Sequence, residues 1–479
     1  MGTSQRLLAA VALIGLVVPT TLHAAAARGT ATPVPMTGTP AAGKPFAATG
    51  YPDRVVLTPG ADPATQMGIA WRTDMRQRGS EAEVAPAIDG PNIAHVARAM
   101  TGTSADISTE NGDARYHQLR LTGLKPDTPY LYRVRGADGW SEWFQFRTAA
   151  ATFRPFSFLY FGDTQNEILS VSARVIRQAF QATAAPALSI HAGDLVAQRE
   201  EKVHDDEWGE WTAAGGHHYA SIPQIPAAGN HEYVDATFAD GAETRLLGPH
   251  WPLSFALPGN GADGVKETTY SVDYQGVRFI VLDGTAALDL GAIEAQTRWL
   301  DGLLADNPNR WTVALFHQPI FTCARPNDTA ALKAAWKPIF EKRNIDLVLQ
   351  GHDHCYSRLT SEAGKAASAQ AQALGKTQGP VYIVSVTGAK MYGLNDRSKT
   401  QPDRVAEDTE LYQRIDVEAD RLVFQAFTAT GRLYDGFELT RRRDGTKQIK
   451  TLPGVTGPER RCSGLTGPDG APCVARAKD

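Results

Sequence analysis

Five short motifs in this 479-residue chain carry side chains of the types that bind metal ions. Their aspartate, asparagine and histidine residues offer carboxylate, amide and imidazole ligands, and no thiolate is needed. Ligands of this kind suit hard and borderline cations. The motifs are Gly162-Asp163-Thr164-Gln165, Gly193-Asp194-Leu195, Gly229-Asn230-His231-Glu232, His317-Gln318-Pro319 and Gly351-His352-Asp353-His354.

Two metal ions held by such a set would suit chemistry at phosphorus. Ions about 3.5–4 Å apart need a bridging oxygen ligand, and one carboxylate can serve both of them. A pair of this kind generates hydroxide near neutral pH and stabilises the oxygens of an in-line displacement. A histidine outside the ligand set can then protonate the departing oxygen.

Apolar strands are the elements that must position these residues. Apolar runs alternate with helical periodicity at 168–176 and 332–340, which predicts an α/β layer architecture. Polar side chains that follow strand ends gather at one edge of a sheet, so we expect the motifs to converge there. The runs are Phe156–Phe161, Leu188–Ile190, Val277–Leu282, Val313–Phe316, Leu347–Leu349 and Val381–Val386.

Residues 50–150 predict a separate all-β sandwich without catalytic residues. Short alternating runs, such as 67–71 and 130–134, are punctuated by turn residues. The segment from Leu124 to Tyr130 resembles the tyrosine corner of fibronectin type III domains, in which a tyrosine hydroxyl bonds to nearby backbone. We therefore divide the rest of the chain into a catalytic domain at 152–440 and a polar tail at 441–479.

The five motifs, in this order, resemble the calcineurin-like metallophosphoesterase superfamily, and most closely its purple acid phosphatase branch. A single Gly-Asp pair would carry no weight, but five motifs ending in Gly351-His352-Asp353-His354 are highly specific. The resemblance covers about residues 50–440, including the N-terminal fibronectin type III-like domain. It implies a catalytic β-sandwich flanked by helices, in the layer order αββα.

The resemblance also implies six metal ligands. Asp194 would bridge the two ions, which we expect to be iron, zinc or manganese. The amide of Gln165 is a weaker candidate for the first site. The remaining ligands are Asp163 and His354 for the first metal, and Asn230, His317 and His352 for the second.

The same resemblance assigns the proton chemistry to His231. This residue would be the general acid, while hydroxide held by the metals attacks phosphorus. Glu232 would orient His231 or contact substrate. His217 and His218, which precede the Asn230 motif, are further substrate-contact candidates, although exposed loop histidines are the more frequent case.

Two positions depart from the purple branch. That branch has a metal-binding tyrosine three residues after the bridging aspartate, whereas this chain has Ala197. We therefore expect no purple colour, and ferric iron at the first site is in question. The second departure is Gln165, which stands where the wider superfamily often has a histidine, so an amide oxygen or a hydrogen-bonding role replaces the imidazole.

The N-terminus and the cysteines indicate export. Arg6, an apolar run at 7–18 and the alanines at 24–27 have the order of a signal peptide, which we place at 1–26, with a flexible lead-in at 27–49. The four cysteines suit an oxidising compartment such as the periplasm or the exterior. We predict a Cys462–Cys473 disulfide and, less strongly, a Cys323–Cys355 disulfide, with unpaired buried thiols as the alternative for the second pair.

Composition limits the possible partners. The formal net charge is −4 without long runs of one sign, so we expect no nucleic-acid-binding surface. No segment after the signal predicts a membrane span. The preferred function is an exported hydrolase of small phosphomonoesters. The alternatives are a phosphodiesterase acting on nucleotides or lipid head groups, and a binding protein that keeps the fold without catalysis.

Overall fold

A computed structural model describes most of the chain after residue 42. The predicted signal peptide and most of the predicted lead-in lie outside the described residues. No described helix is long and apolar enough to cross a membrane. The described residues are 43–199, 204–238, 240–360, 376–377, 379–442, 445–455, 457–462, 466–467, 470 and 472–473.

Two antiparallel sheets form the N-terminal sandwich. One has the strand order β1-β2-β6-β5, and the other runs β4-β3-β7-β8, with β9 also paired to β7. The Tyr130 hydroxyl accepts a hydrogen bond from Lys125 N at 2.9 Å, which is the bond of a tyrosine corner. The strands are β1 (Asp53–Pro59), β2 (Met67–Thr73), β3 (Glu81–Pro86), β4 (Arg98–Thr101), β5 (Thr103–Thr109), β6 (Gly112–Leu121), β7 (Pro129–Gly136), β8 (Gly139–Trp140) and β9 (Phe144–Arg147).

The following strands form two mixed sheets and a small hairpin. They are β10 (Phe156–Phe161), β11 (Leu188–His191), β12 (Gln224–Pro226), β13 (Tyr233–Thr237), β14 (Glu243–Leu247), β15 (Tyr270–Tyr274), β16 (Val277–Val281), β17 (Trp311–Leu315), β18 (Leu347–Gln350), β19 (Tyr356–Thr360), β20 (Lys376–Thr377), β21 (Val381–Val384), β22 (Arg404–Ala406), β23 (Leu411–Val417), β24 (Arg421–Thr428), β25 (Leu433–Arg441) and β26 (Lys447–Thr451). One sheet has the order β12-β11-β10-β23-β24-β25-β26-β20, and the other β15-β16-β17-β18-β21-β19-β22. The hairpin is β13-β14.

Short helices connect these strands. They are α1 (Ala173–Ala182), α2 (Asp205–Gly215), α3 (His217–Ser221), α4 (His250–Ser254), α5 (Gly284–Asp289), α6 (Ile293–Ala305), α7 (Ala330–Ala335) and α8 (Lys337–Lys342). A π-helical turn, Ile168–Ser172, leads into α1. The predicted helical stretch at 332–340 is divided between α7 and α8 at Trp336, and Pro338 lies in the first turn of α8, where proline is tolerated.

Alternating side chains assign the two faces of each strand to different layers. In β16, Val277 and Phe279 belong to the core between the two large sheets, together with Phe158 of β10. The next residue, Ile280, lies on the other face and packs in a second core with helical residues such as Leu300. Burial on both faces makes such strands continuous apolar runs, which is why they are visible in the sequence. The predicted αββα arrangement and the N-terminal sandwich are confirmed.

Local details agree with the sequence in two places and differ in one. The turn at Gln275 and Gly276 joins β15 to β16, with φ values of +46° and +86°. Both predicted disulfides, Cys323–Cys355 and Cys462–Cys473, are present. The predicted polar tail, however, includes a strand, because residues 447–451 form β26 and pair with β25.

Candidate metal centre

The six predicted ligands all follow strands. Parallel pairing aligns β10 with β11 and β12 in one sheet, and β17 with β18 in the other. The chain therefore leaves these strands at the same edge of each sheet, as predicted from the strand-end positions. Asp163, Asp194 and Asn230 follow β10, β11 and β12, His317 follows β17, and His352 and His354 follow β18.

Five of these residues form two overlapping groups of potential metal ligands. The ligand atoms of Asp194, His317 and His352 lie within 4.8 Å of one another, and so do those of Asp163, Asp194 and His354. Asp194 belongs to both groups. Its position is therefore the one that a bridging carboxylate requires.

Backbone carbonyls orient two of the imidazoles. His317 Nδ1 lies 2.7 Å from the Ala192 carbonyl, and His354 Nδ1 lies 2.8 Å from the Lys390 carbonyl. In a neutral ring, a proton on Nδ1 leaves a lone pair on Nε2. His317 Nε2 lies 3.0 Å from Asp194 Oδ2, so these two atoms could be ligands of the same metal ion.

Two amide oxygens in the site lack hydrogen-bond partners among the described residues. These atoms are Asn230 Oδ1 and Gln165 Oε1, and both are buried. The Gln165 amide nitrogen lies 3.0 Å from Asp194 Oδ2 and 2.9 Å from His354 Nε2. A buried carbonyl oxygen without a donor is costly, and a cation would satisfy it. The donor set therefore fits metal ions of the oxygen- and nitrogen-binding class.

The electrostatics of the cluster also favour a cation. Burial, reinforced by the charge of Asp194, raises the pKa of the Asp163 and Glu232 carboxyls above their ordinary range. Burial lowers the pKa of the His317 ring, but the charges of Asp194 and Asp163 outweigh it and raise that pKa to about 9. The raised pKa values show that the negative charge of the buried carboxylates favours protonation of the cluster. A bound metal ion would neutralise the same negative charge.

Two glycines allow the loops to approach one another. Gly193 has a φ of +86°, and a Cβ there would lie 2.7 Å from Gly229 N. A Cβ on Gly229 would lie 2.2 Å from Asp194 Oδ1. Asp194 and His354 themselves have positive φ values of +50° and +46°, conformations that cost energy in a non-glycine residue and cluster at functional sites.

Glu232 braces the two loops from behind. Its Oε2 accepts hydrogen bonds from Gly229 N at 2.6 Å and Asp194 N at 2.9 Å, and its Oε1 accepts one from Leu195 N at 2.7 Å. The side chain is 1% exposed. Both carboxylate oxygens thus face backbone amides, and the structure does not present Glu232 to a substrate or to the ring of His231.

His231 lies beside the ligand cluster. Its backbone N–H donates to Asp194 Oδ1 at 2.9 Å, and its Nδ1 contacts the Ala197 carbonyl oxygen. Its Nε2 is 3.9 Å from Asp194 Oδ2. Burial lowers the pKa of the ring, although the charge of Asp194 partly opposes this. The Nδ1 contact leaves Nε2 as the nitrogen that can transfer a proton.

The structure does not bring His217 and His218 to the cluster. Both lie in α3, which precedes β12, whereas Asn230 follows that strand. The His218 ring stacks on Phe180 with 4.4 Å between centroids. His217 lines a cavity with sandwich residues such as Arg54. These histidines therefore pack at the boundary between the two domains.

A loop that the sequence motifs did not indicate places one cation, Lys390, beside the site. Thr387 and Gly388 donate backbone hydrogen bonds to the Asp163 carbonyl. The Tyr392 ring packs against the His354 ring with 4.8 Å between centroids, and the Lys390 ammonium lies 5.7 Å from the centre of the Tyr392 ring. The available signal was the glycine and polar residues directly after the predicted strand at 381–386.

Comparisons with known proteins agree with this geometry. Residues 156–356 match the family model described as calcineurin-like phosphoesterase. Residues 52–148 match the model described as purple acid phosphatase, N-terminal domain. Residues 156–356 therefore form a calcineurin-like phosphoesterase domain. This domain contains all six predicted ligands and also His231.

Individual relatives are distant. An uncharacterized protein of Mycobacterium tuberculosis is 27% identical over 62% of this chain and 60% of the relative, so the chain spans about 60% of that relative's length. Purple acid phosphatase 1 of Ipomoea batatas is 25% identical over 73% of this chain and 74% of the relative. The Fe(3+)-Zn(2+) purple acid phosphatase 12 of Arabidopsis thaliana is 24% identical over 60% and 62%. A solved structure of PhoD has the same fold, with a TM-score of 0.59 at 14% identity over 85% of this chain and 94% of that chain.

Proposed function

We propose that this protein is an exported dinuclear-metal phosphomonoesterase. The single observation that carries the proposal is the pair of ligand groups that share Asp194. Two groups joined by one carboxylate suit a metal pair better than a single structural ion. The match of residues 156–356 to the calcineurin-like phosphoesterase model supports an ester of phosphoric acid as the substrate.

The first ion would be held by Asp163, Asp194 and His354, with Gln165 Oε1 as a further ligand. The second would be held by Asp194 with Asn230, His317 and His352. Mixed oxygen and nitrogen ligands suit iron, zinc or manganese. The name of the Arabidopsis relative, an Fe(3+)-Zn(2+) phosphatase, supports the first two. When bound, the ions would activate water near neutral pH and stabilise negative charge on the phosphoryl oxygens.

His231 would act as the general acid. As the bond between phosphorus and the ester oxygen breaks, that oxygen takes the proton from Nε2 and leaves as an alcohol. The attacking water adds its hydroxyl group to phosphorus and releases its other proton to solvent, from which His231 is reprotonated, so the products are the alcohol and inorganic phosphate. The Ala197 carbonyl orients the Nδ1 N–H group, so Nε2 of the doubly protonated ring is the nitrogen that would donate to the leaving oxygen.

A cation beside the cluster supports a preference for monoesters. The Lys390 ammonium lies 5.7 Å from the centre of the Tyr392 ring, which packs against His354, whereas the nearby Arg325 guanidinium is ion-paired with Asp353 at 2.5 Å. A phosphomonoester carries up to two negative charges, whereas a diester carries one. Nearby positive charge therefore favours the monoester.

The proposal is tested by metal analysis together with paired substrates. We expect about two metal ions per chain and faster turnover of 4-nitrophenyl phosphate than of bis(4-nitrophenyl) phosphate. We also expect Asp194→Ala to lose both ions and turnover. Preferential turnover of the diester would replace the monoester assignment with a phosphodiesterase. No turnover after addition of Mn, Zn or Fe salts would refute the catalytic proposal.

Export is tested separately. The two disulfides support an oxidising compartment. We expect the expressed protein to appear in the periplasm or medium with residues 1–26 removed. Mass spectrometry of the recovered chain measures the cleavage, and a cytoplasmic, uncleaved chain would contradict export.

A further inference from the structure

Helix α2 begins at a buried ionic network that includes the N-terminal sandwich. Its first residue, Asp205, is fully buried and accepts hydrogen bonds from Arg54 of β1, at 2.5 and 2.9 Å, and from Arg72 of β2, at 3.0 Å. Asn111, in the turn between β5 and β6, donates to the same carboxylate at 3.0 Å. The sandwich therefore determines the position of the start of α2.

The third residue of α2 holds the loop that follows Asp194. Glu207 Oε2 accepts hydrogen bonds from Ala197 N at 2.7 Å and from Gln198 N at 2.9 Å. A carboxylate that accepts two backbone N–H groups makes stronger bonds than a neutral acceptor would. Glu232 holds the other end of the same loop at Asp194 N and Leu195 N.

The carbonyl of the residue held by Glu207 contacts the ring of His231. Ala197 O is the partner of His231 Nδ1. The N–H group that Glu207 binds and the carbonyl that His231 contacts both belong to Ala197. A displacement of this N–H group therefore also displaces the hydrogen-bond acceptor of His231. The network thus runs from Asp205 at the sandwich, through Glu207 and Ala197, to His231.

We propose that the β-sandwich orients His231 through α2, with Glu207 as the positioning residue. The inference rests on the proposed function, in which His231 protonates the leaving oxygen. Glu207 touches neither His231 nor the ligand cluster in the contacts described. It acts on the ring only through the Ala197 carbonyl, which differs from a role in metal binding.

Leaving-group dependence separates this role from a merely structural one. The 4-nitrophenolate group leaves readily without a proton, whereas the alkoxide of glycerol 1-phosphate needs one. We expect Glu207→Ala to lower kcat/KM for glycerol 1-phosphate about 10- to 100-fold, the loss typical of a misplaced catalytic group. The loss for 4-nitrophenyl phosphate should stay below about threefold, with unchanged metal content, because the metal pair is intact.

Three controls accompany the Glu207→Ala variant. Glu207→Gln keeps an oxygen acceptor and should recover most of the glycerol 1-phosphate activity. Glu210→Ala removes another carboxylate of α2, one that accepts a hydrogen bond from Leu169 N and does not contact the Ala197 loop. This variant should change kcat/KM for the two esters by the same factor. In a His231→Ala background, Glu207→Ala should cause no further loss on glycerol 1-phosphate, because both changes act through one ring.

The sandwich contribution has its own variant, Asn111→Ala. We expect a smaller loss in the same direction, selective for glycerol 1-phosphate. A variant with wild-type values on both esters would overturn the part of the proposal that concerns the sandwich.

Two outcomes would overturn the role of Glu207. They are equal losses on both esters in Glu207→Ala, and losses in the double variant that multiply. If the metal-loaded wild-type protein turns over neither ester, the proposed function itself fails. If the wild type is active but Glu207→Ala loses equal activity on both esters, only the role of Glu207 fails.

Discussion

The buried network at Asp205 gives the sharpest stability prediction. We consider Asp205→Asn, which keeps the shape of the side chain and removes its charge. Burial alone would raise the pKa of Asp205, but the hydrogen bond from His250 and the charges of Arg54 and Arg72 outweigh it and hold that pKa below the usual range. The carboxylate is therefore charged at neutral pH.

The expected loss follows from the partners of Asp205. Arg72 keeps Asp53 as an ion-pair partner after the substitution, at 2.7 Å. The Arg54 side chain is only 4% exposed, and its ion pair with Asp205 is removed. Leaving a buried charge without its partner costs about 3–5 kcal/mol. Residues Pro40–Asp479 form one compact unit. An unfolding entropy of roughly 2.1 cal/mol/K per residue gives about 0.9 kcal/mol/K for this unit. Dividing the free-energy loss by this entropy gives a fall in Tm of about 3–5 °C.

Differential scanning calorimetry at pH 7 measures this loss against a surface pair. Asp106 pairs with Arg115 at 2.6 Å, but its side chain is 50% exposed. Asp106→Asn should therefore cost less than about 1 kcal/mol, or about 1 °C. Equal Tm shifts in the two variants would show that the Asp205 pair is solvated, and would refute the argument from burial.

Three further predictions concern the metal loops and pH. Replacing Cys323 and Cys355 with serine should lower stability by about 2–4 kcal/mol and speed metal loss to a chelator, while removal of the second disulfide leaves metal loss unchanged. Gln165→Ala should weaken binding of one metal about tenfold by isothermal titration, and an unchanged affinity would show that this amide is not a metal ligand. Burial lowers the pKa of His117 to about 4, so the unfolded state binds the proton first as the pH falls below about 6.5. His117 should therefore contribute a loss of about 1–2 kcal/mol between pH 7 and pH 5 in urea unfolding, and His117→Gln should reduce the wild-type loss by that amount, whereas an unchanged loss would contradict the assignment.

Much of the architecture was predictable because its signals are local. The strands of the two central sheets are buried on both faces, so β10 and β18 appear as continuous apolar runs in the sequence. The ligand types are also local, since each ligand follows a strand within a short motif. Even the hairpin at Gln275 and Gly276 follows from residues that are adjacent in the chain.

Other features depended on contacts between segments distant in sequence. Glu232 looked like a partner for the neighbouring His231, yet its oxygens bond to backbone amides of the Asp194 loop. The two adjacent histidines of α3 looked close to the site, but they lie at the opposite end of β12 from Asn230. Adjacency in sequence does not determine which end of a strand or which side of a loop a polar side chain faces.

The sequence by itself determined the chemistry of this protein's site, and the tertiary structure decided its arrangement. Residue types and order alone indicate carboxylate, amide and imidazole ligands after parallel strands. Only the fold brings Asp194 into both ligand groups, and only the fold connects Glu207 to His231 through Ala197. The physical reason is that ligand chemistry belongs to single side chains, whereas orientation depends on hydrogen bonds between loops that sequence patterns do not pair.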